Sequence, residues 1–261
     1  MYKGFNLTAL PYPKEMNEEL HQIGSEQFTS QKKIVRSALR ELVLQDGSLD
    51  GQKLQSQWFP QVEADVFISH SHDDTDSALV LAGILRKHFN IKSFIDTTIW
   101  GYGSDLLRNL DNIYCTNGKA GSFDYGLRNL STSHVYLMLA GALSKLIDNT
   151  ECVFFLNTPS SVKPSQIMDS TLSPWLYFEV LTTQTIRKTL PNDHLRRQQV
   201  LEKSFSDTGP IQINESFKMT HKIELGHLTT IEADDDFFRR WLKQSAGVKF
   251  KLDTLYQIFE E

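Results

Sequence analysis

Residues 64 to 76 read ADVFISHSHDDTD, and this stretch decides how the chain is read. Val66, Phe67 and Ile68 form a short apolar run with no polar partner face, the pattern of a parallel strand covered on both sides. The run stops in serine, histidine and aspartate, then gives way to SALVLAGILRKHF (77–89), an amphipathic helical segment. Ligands of open α/β sheets bind at the carboxyl edge of the strands. Ser69, His70, Ser71 and His72 fall at that edge, where hydroxyls and imidazoles could contact a ribose or a phosphate. A plainer reading stands beside it: Ser71 and Asp73 or Asp74 are helix caps, and the histidines are loop residues satisfied by neighbours.

Working outward, IKSFID (91–96) is apolar at alternate positions and ends in Asp96. A strand, helix and strand with so short a crossover make a parallel pair with a right-handed connection. The segment 97–115 reads as a glycine-containing loop running into a helix, 116–132 as an insertion or long loop, and 134–150 as an apolar helix. CVFFLNT (152–158) is the next buried strand, followed by a loop to Ser173. Ser173 is placed to cap a helix from Pro174 to about residue 189, with proline at its first position. Beyond it, a helix at 194–204, strands at 211–213 and 227–233, and a helix at 234–244 with its acids at the start are expected.

Toward the N-terminus, Pro11 and Pro13 bias residues 1–13 to an irregular arm. Residues 14–44 have a helical apolar pattern, and Asp46-Gly47 and Asp50-Gly51 punctuate a connector whose Trp58 and Phe59 tuck against the main domain. A boundary near residue 60 divides the chain into a helical N-terminal extension, 1–60, and an α/β domain with an elaborated C-terminal part, 61–261.

The 261 residues are 40 % hydrophobic, enough for a substantial core. A net charge of -5, from 27 basic and 32 acidic residues, disfavours broad attraction to nucleic acid or anionic lipid. Two cysteines without zinc-type spacing point to a reducing compartment. The sequence has no apolar run near the ~18 residues of a membrane span and no signal-peptide core, so a cytoplasmic protein is expected.

A second motif is SPWLYFE (173–179). Between residues 172 and 181 the sole charge is Glu179, and Trp175 lies four residues before it on the same helical face. A carboxylate among such neighbours is costly unless it has a partner or faces a cleft; the alternative is a glutamate on a narrow solvent stripe.

The strand with F-I-S-H-S and its acidic loop, followed in order by S-x-W-x-x-x-E, resembles a bacterial TIR (Toll/interleukin-1 receptor) domain over residues 62 to 190. The resemblance implies a flavodoxin-like, mostly parallel sheet and cleavage of NAD+ at the nicotinamide–ribose bond, giving ADP-ribose or a cyclic product. It makes Glu179 the catalytic residue. Ser69, His70, Ser71, Asp96, Trp100 and Trp175 become substrate contacts, with Trp100 in a BB loop at 97–104 as a stacking surface; on the plainer reading Trp100 is packing and the glycines of that stretch make a turn. NAD+ is then the substrate, with no cofactor and no metal. The same resemblance implies self-association through the BB loop, a separate effector acting on the product, and a place in bacterial antiphage defence. Nicotinamide leaves as a neutral base from a cationic pyridinium, so one carboxylate suffices to stabilise the oxocarbenium-like ribose.

Two rivals differ in class. One is a TIR module that only assembles with partners. The other is a zinc hydrolase, because HSHDD (70–74) resembles the H-x-H-x-D-H motif of metallo-β-lactamase folds, although Thr75 stands where the last histidine belongs.

Overall fold

The computed structural model describes residues 1–8, 17–31, 39–95, 97–118, 121–162, 170–171, 173–194, 197 and 221–259. Within them lie strands β1 (Lys3–Thr8), β2 (Val66–Ser69), β3 (Ser93–Ile95), β4 (Cys152–Leu156), β5 (Ser170–Thr171), β6 (His221–Lys222) and β7 (Thr229–Glu232). The α-helices are α1 (Glu18–Gln31), α2 (Gly51–Trp58), α3 (Thr75–Phe89), α4 (Thr97–Tyr114), α5 (Tyr125–Asn149), α6 (Pro174–Thr185), α7 (Asp235–Gln244) and α8 (Lys251–Ile258). Five strands form one sheet in the order β3-β2-β4-β1-β7, and all four neighbouring pairs are parallel. β5 and β6 form a separate antiparallel pair.

The pleat sorts side chains to two helical layers. Phe5, Leu7, Val66, Ile68, Ile95, Cys152, Phe154 and Ile231 face a core built with α3, α7 and α8. Phe67, Phe94 and Val153 face the opposite core, built with α2, α4 and α5. Phe155 joins a smaller cluster with Leu176 and Val180 of α6. Both faces of the sheet are covered, as an all-parallel sheet requires.

The strands expected at β2, β3, β4 and β7 and the helices expected at α3, α6 and α7 are all present. The N-terminal reading is corrected. Residues 3–8 are no arm: β1 lies between β4 and β7 and pairs with both, so the sheet extends across the boundary expected near residue 60. In KGFNLT only Phe5 and Leu7 face the helical core. Asn6 is buried at 7 % exposure and donates to Thr230 Oγ1 of β7. A polar residue that bonds across the sheet masks a central strand that apolar runs would otherwise reveal. Asp50, read as a turn residue, instead caps α2 by accepting from the Gln52 and Lys53 amides.

The loop expected at 97–104 is also corrected, since its residues form the first turns of α4. Gly103 allows α4 to lie close to Leu139 of α5, and Leu106 and Leu110 bury the same face of α4. The insertion expected at 116–132 is shorter, because α5 already begins at Tyr125, capped by Asp124. The expected helix at 194–204 and strand at 211–213 lie, Arg197 and His194 apart, outside the described residues.

The chain leaves β2 through α3 to reach β3 on one side, while β4 flanks β2 on the other. The carboxyl ends of β2 and β4 are therefore the topological switch point of the sheet.

Candidate active site at the carboxyl end of β2

β2 ends in Ser69, which is buried and paired in register with Phe155. Strand alternation turns its side chain to the face of Phe67, the side on which α4 and α5 pack. On that side α6 begins with Ser173, whose hydroxyl accepts from the Leu176 amide at 3.3 Å, and with Pro174 in the first turn. This start brings Glu179, midway along α6, to the end of β2. Ser69 Oγ donates a hydrogen bond of 2.5 Å to Glu179 Oε2. Glu179 is 1 % exposed, which overturns the solvent-stripe reading. A carboxylate out of water is costly, and a short hydroxyl-to-carboxylate bond offsets part of that cost.

A second polar cluster bridges the loops that follow β2 and β4. Asp74 Oδ2 accepts from Thr158 Oγ1 at 2.5 Å and from Ser161 Oγ at 3.1 Å. Ser161 Oγ in turn accepts from the Ser71 amide at 3.3 Å. Ser71 has the capping role that the plainer reading gave it, its hydroxyl accepting from the Asp73 amide. Asp74 stands at the cap position of α3 but makes no side-chain cap bond, its carboxylate serving the β4 loop instead. Thr158 and Ser161 were missed in the sequence. The rule that marks Ser69 also marks the residues just beyond Leu156, and that was the available signal.

His70 is buried and His72 is exposed, so the two do not present a common pair of ligands. Among the described residues no three His, Cys, Asp or Glu side chains gather in a group able to hold a metal ion.

Asp96 lies outside the described residues, and for Trp100 only the backbone, in the first turn of α4, is described. Trp175 is half-buried and packs edge-on against Tyr136 of α5, with ring centroids 5.7 Å apart, and against Phe178 at 6.3 Å. It forms part of the contact between α5 and α6. The structure thus brings Ser69 and Glu179 into direct contact and sets Ser71 in the neighbouring cluster. Trp175 goes to a helix-packing position.

The fold and this edge define an open parallel α/β sandwich with a buried serine–glutamate pair at its switch point. Compared with known proteins, the chain matches no family model, no curated protein and no solved structure. Among the described residues no helix is long and apolar enough to cross a membrane.

Proposed function

We propose that this chain is a TIR-type NAD+ nucleoside hydrolase or cyclase that cleaves the nicotinamide–ribose bond, with Glu179 as the catalytic carboxylate. One observation carries the reading: the glutamate of S-x-W-x-x-x-E is buried at the switch point and bonded to the serine of F-I-S-H-S, 110 residues away in the chain. Two motifs linked in sequence only by resemblance therefore share one hydrogen bond. The strand order supports a flavodoxin-like assignment, since β3-β2-β4 repeats the 2-1-3 start of that order and β1 and β7 take the two remaining places.

In this reading Glu179 provides the negative charge that faces the oxocarbenium-like ribose as neutral nicotinamide departs. Water as nucleophile yields ADP-ribose, and an internal adenosine group yields a cyclic product. His70 and the loops joined by Asp74, Thr158 and Ser161 border the place where the dinucleotide binds. Self-association, a separate effector responding to the product, a cytoplasmic setting and a role in antiphage defence belong to the same proposal. Nucleic acid and membrane have no part in it.

The test is incubation of the pure protein with NAD+ and chromatographic separation of the products. Release of nicotinamide together with ADP-ribose or its cyclic form is expected, lost in Glu179→Gln. The burial of Glu179 also favours a second reading, in which its bond to Ser69 only staples α6 to the sheet of a non-enzymatic assembly module. Intact NAD+ after prolonged incubation across a wide range of protein concentration would establish that reading instead.

A further inference from the structure

We infer that Ser69 is the positioning residue of Glu179, and not the ribose or phosphate contact that its place at the strand end indicates. The inference rests on the NAD+-cleaving reading and deepens it by assigning how its carboxylate is held. A serine hydroxyl carries one hydrogen, and here that hydrogen is committed to Glu179 Oε2 at 2.5 Å. In this bond the serine donates and the carboxylate oxygen accepts. Ser69 therefore has no hydrogen left to donate to a substrate oxygen while it holds the glutamate.

The two ends of the bond differ in rigidity, and that difference gives the bond its direction of influence. Ser69 is the last residue of a four-residue strand paired on both flanks, and its side chain is 1 % exposed. Its short side chain has a single torsion. Glu179 projects from the middle of α6 through three torsions, so its carboxylate has more conformational freedom to lose than the serine hydroxyl has. The strand end therefore helps to set the position of the glutamate. A catalytic group must sit within about 0.5 Å of its productive position, and a displacement of about 1 Å can cost on the order of 100-fold in rate.

The test compares wild type with Ser69→Ala, Ser69→Cys, Ser69→Thr and Glu179→Gln in steady-state NAD+ cleavage, each checked for folding by circular dichroism and thermal unfolding. Ser69→Ala and Ser69→Cys are expected to lower kcat by about 10- to 100-fold while KM stays within about twofold of wild type, because the substrate loses no contact. Ser69→Thr retains the hydroxyl and should restore most of kcat. Two variants without a good hydroxyl donor keep the test open if one of them does not fold.

A raised KM with unchanged kcat in Ser69→Ala would make Ser69 a substrate contact and overturn the inference while leaving the catalytic reading intact. Wild-type kcat and KM in a folded Ser69→Ala would overturn it equally. Turnover that survives in Glu179→Gln, or is absent from wild type, would overturn the catalytic reading and the inference with it.

Discussion

At the scale of single residues, the proposed chemistry rests on one carboxylate. Glu179→Gln keeps the shape and leaves an amide oxygen to accept from Ser69, but it removes the charge. On the proposed reading, NAD+ cleavage should fall by about 100-fold or more, the loss expected when a counter-charge worth a few kcal/mol to the transition state disappears. Stability should change by only about 1 kcal/mol, seen as a nearly unmoved thermal midpoint. A folded variant with wild-type turnover would remove Glu179 from the catalytic role. His194 makes a different kind of prediction. It is buried, with Nε2 3.1 Å from the Thr150 carbonyl oxygen. Burial, with the nearby Met1 ammonium, holds its pKa below the ordinary value of 6.5. As the pH falls below that ordinary value, the unfolded chain takes up the proton more readily than the folded one, so stability is lost on acidification. Urea unfolding at pH 7.5 and 5.5 should show a larger loss in wild type than in His194→Gln. Equal losses would show that His194 does not contribute to the pH dependence.

At the scale of elements, two contacts decide how the layers close. α1 crosses α3 so closely that a Cβ on Gly24 would strike the Leu79 carbonyl and one on Gly83 would strike the Leu20 carbonyl. Each glycine meets backbone, which cannot swing aside as a side chain can. Gly24→Ala and Gly83→Ala should therefore each destabilise by about 1–3 kcal/mol, the range for overpacking a tight interior, despite alanine's better helix propensity. A chemical-denaturation midpoint equal to or above wild type would refute that close crossing. At the amino edge of the sheet Arg197 makes paired hydrogen bonds to Glu151, just before β4, and to Asp253 of α8. Tyr256 of α8 also donates to Glu151 at 3.0 Å, and the Arg197 guanidinium lies over the Phe250 ring. Removing the arginine leaves a buried carboxylate without its counter-charge, so Arg197→Met is expected to cost about 3–5 kcal/mol. Denaturation measured with Asp253→Asn alongside separates the two carboxylates, and the cost should be smaller for the more exposed Asp253. A loss under about 1 kcal/mol in Arg197→Met would show the cluster to be energetically neutral.

At the scale of the whole molecule, β1 makes the first 60 residues inseparable from the sheet. Phe5 is fully buried and its ring meets Phe154, Tyr256 and Phe259. A fragment of residues 61–261 would expose facing edges of β4 and β7 and lose α1 from the face of α3. Such a fragment is expected to lack a cooperative thermal transition and to aggregate, as unpaired strand edges do. A monomeric fragment with a sharp melt would restore the division near residue 60. The apolar runs around Phe67 and Phe154, the alternation at 91–96 and the Ser173-Pro174 start of α6 were legible because each is a local pattern with its own physical cause. β1 was not, since half its residues are polar and the nearby prolines resemble an arm. The start of α4 was hidden in the same way, because its glycines read as a turn until the close approach to α5 supplies their reason.

What the sequence by itself determined is the class of fold, most of its strands, and the identity of Glu179 and Ser69 as residues at ligand-edge positions. These follow from period, caps and strand termini, which act within a few residues. Tertiary structure alone decided that β1 belongs between β4 and β7, that Asp74 serves Thr158 and Ser161 in place of capping α3, and that Ser69 and Glu179 meet. Each of these is a contact between segments far apart in the chain, set by how whole layers pack, and no local pattern encodes it.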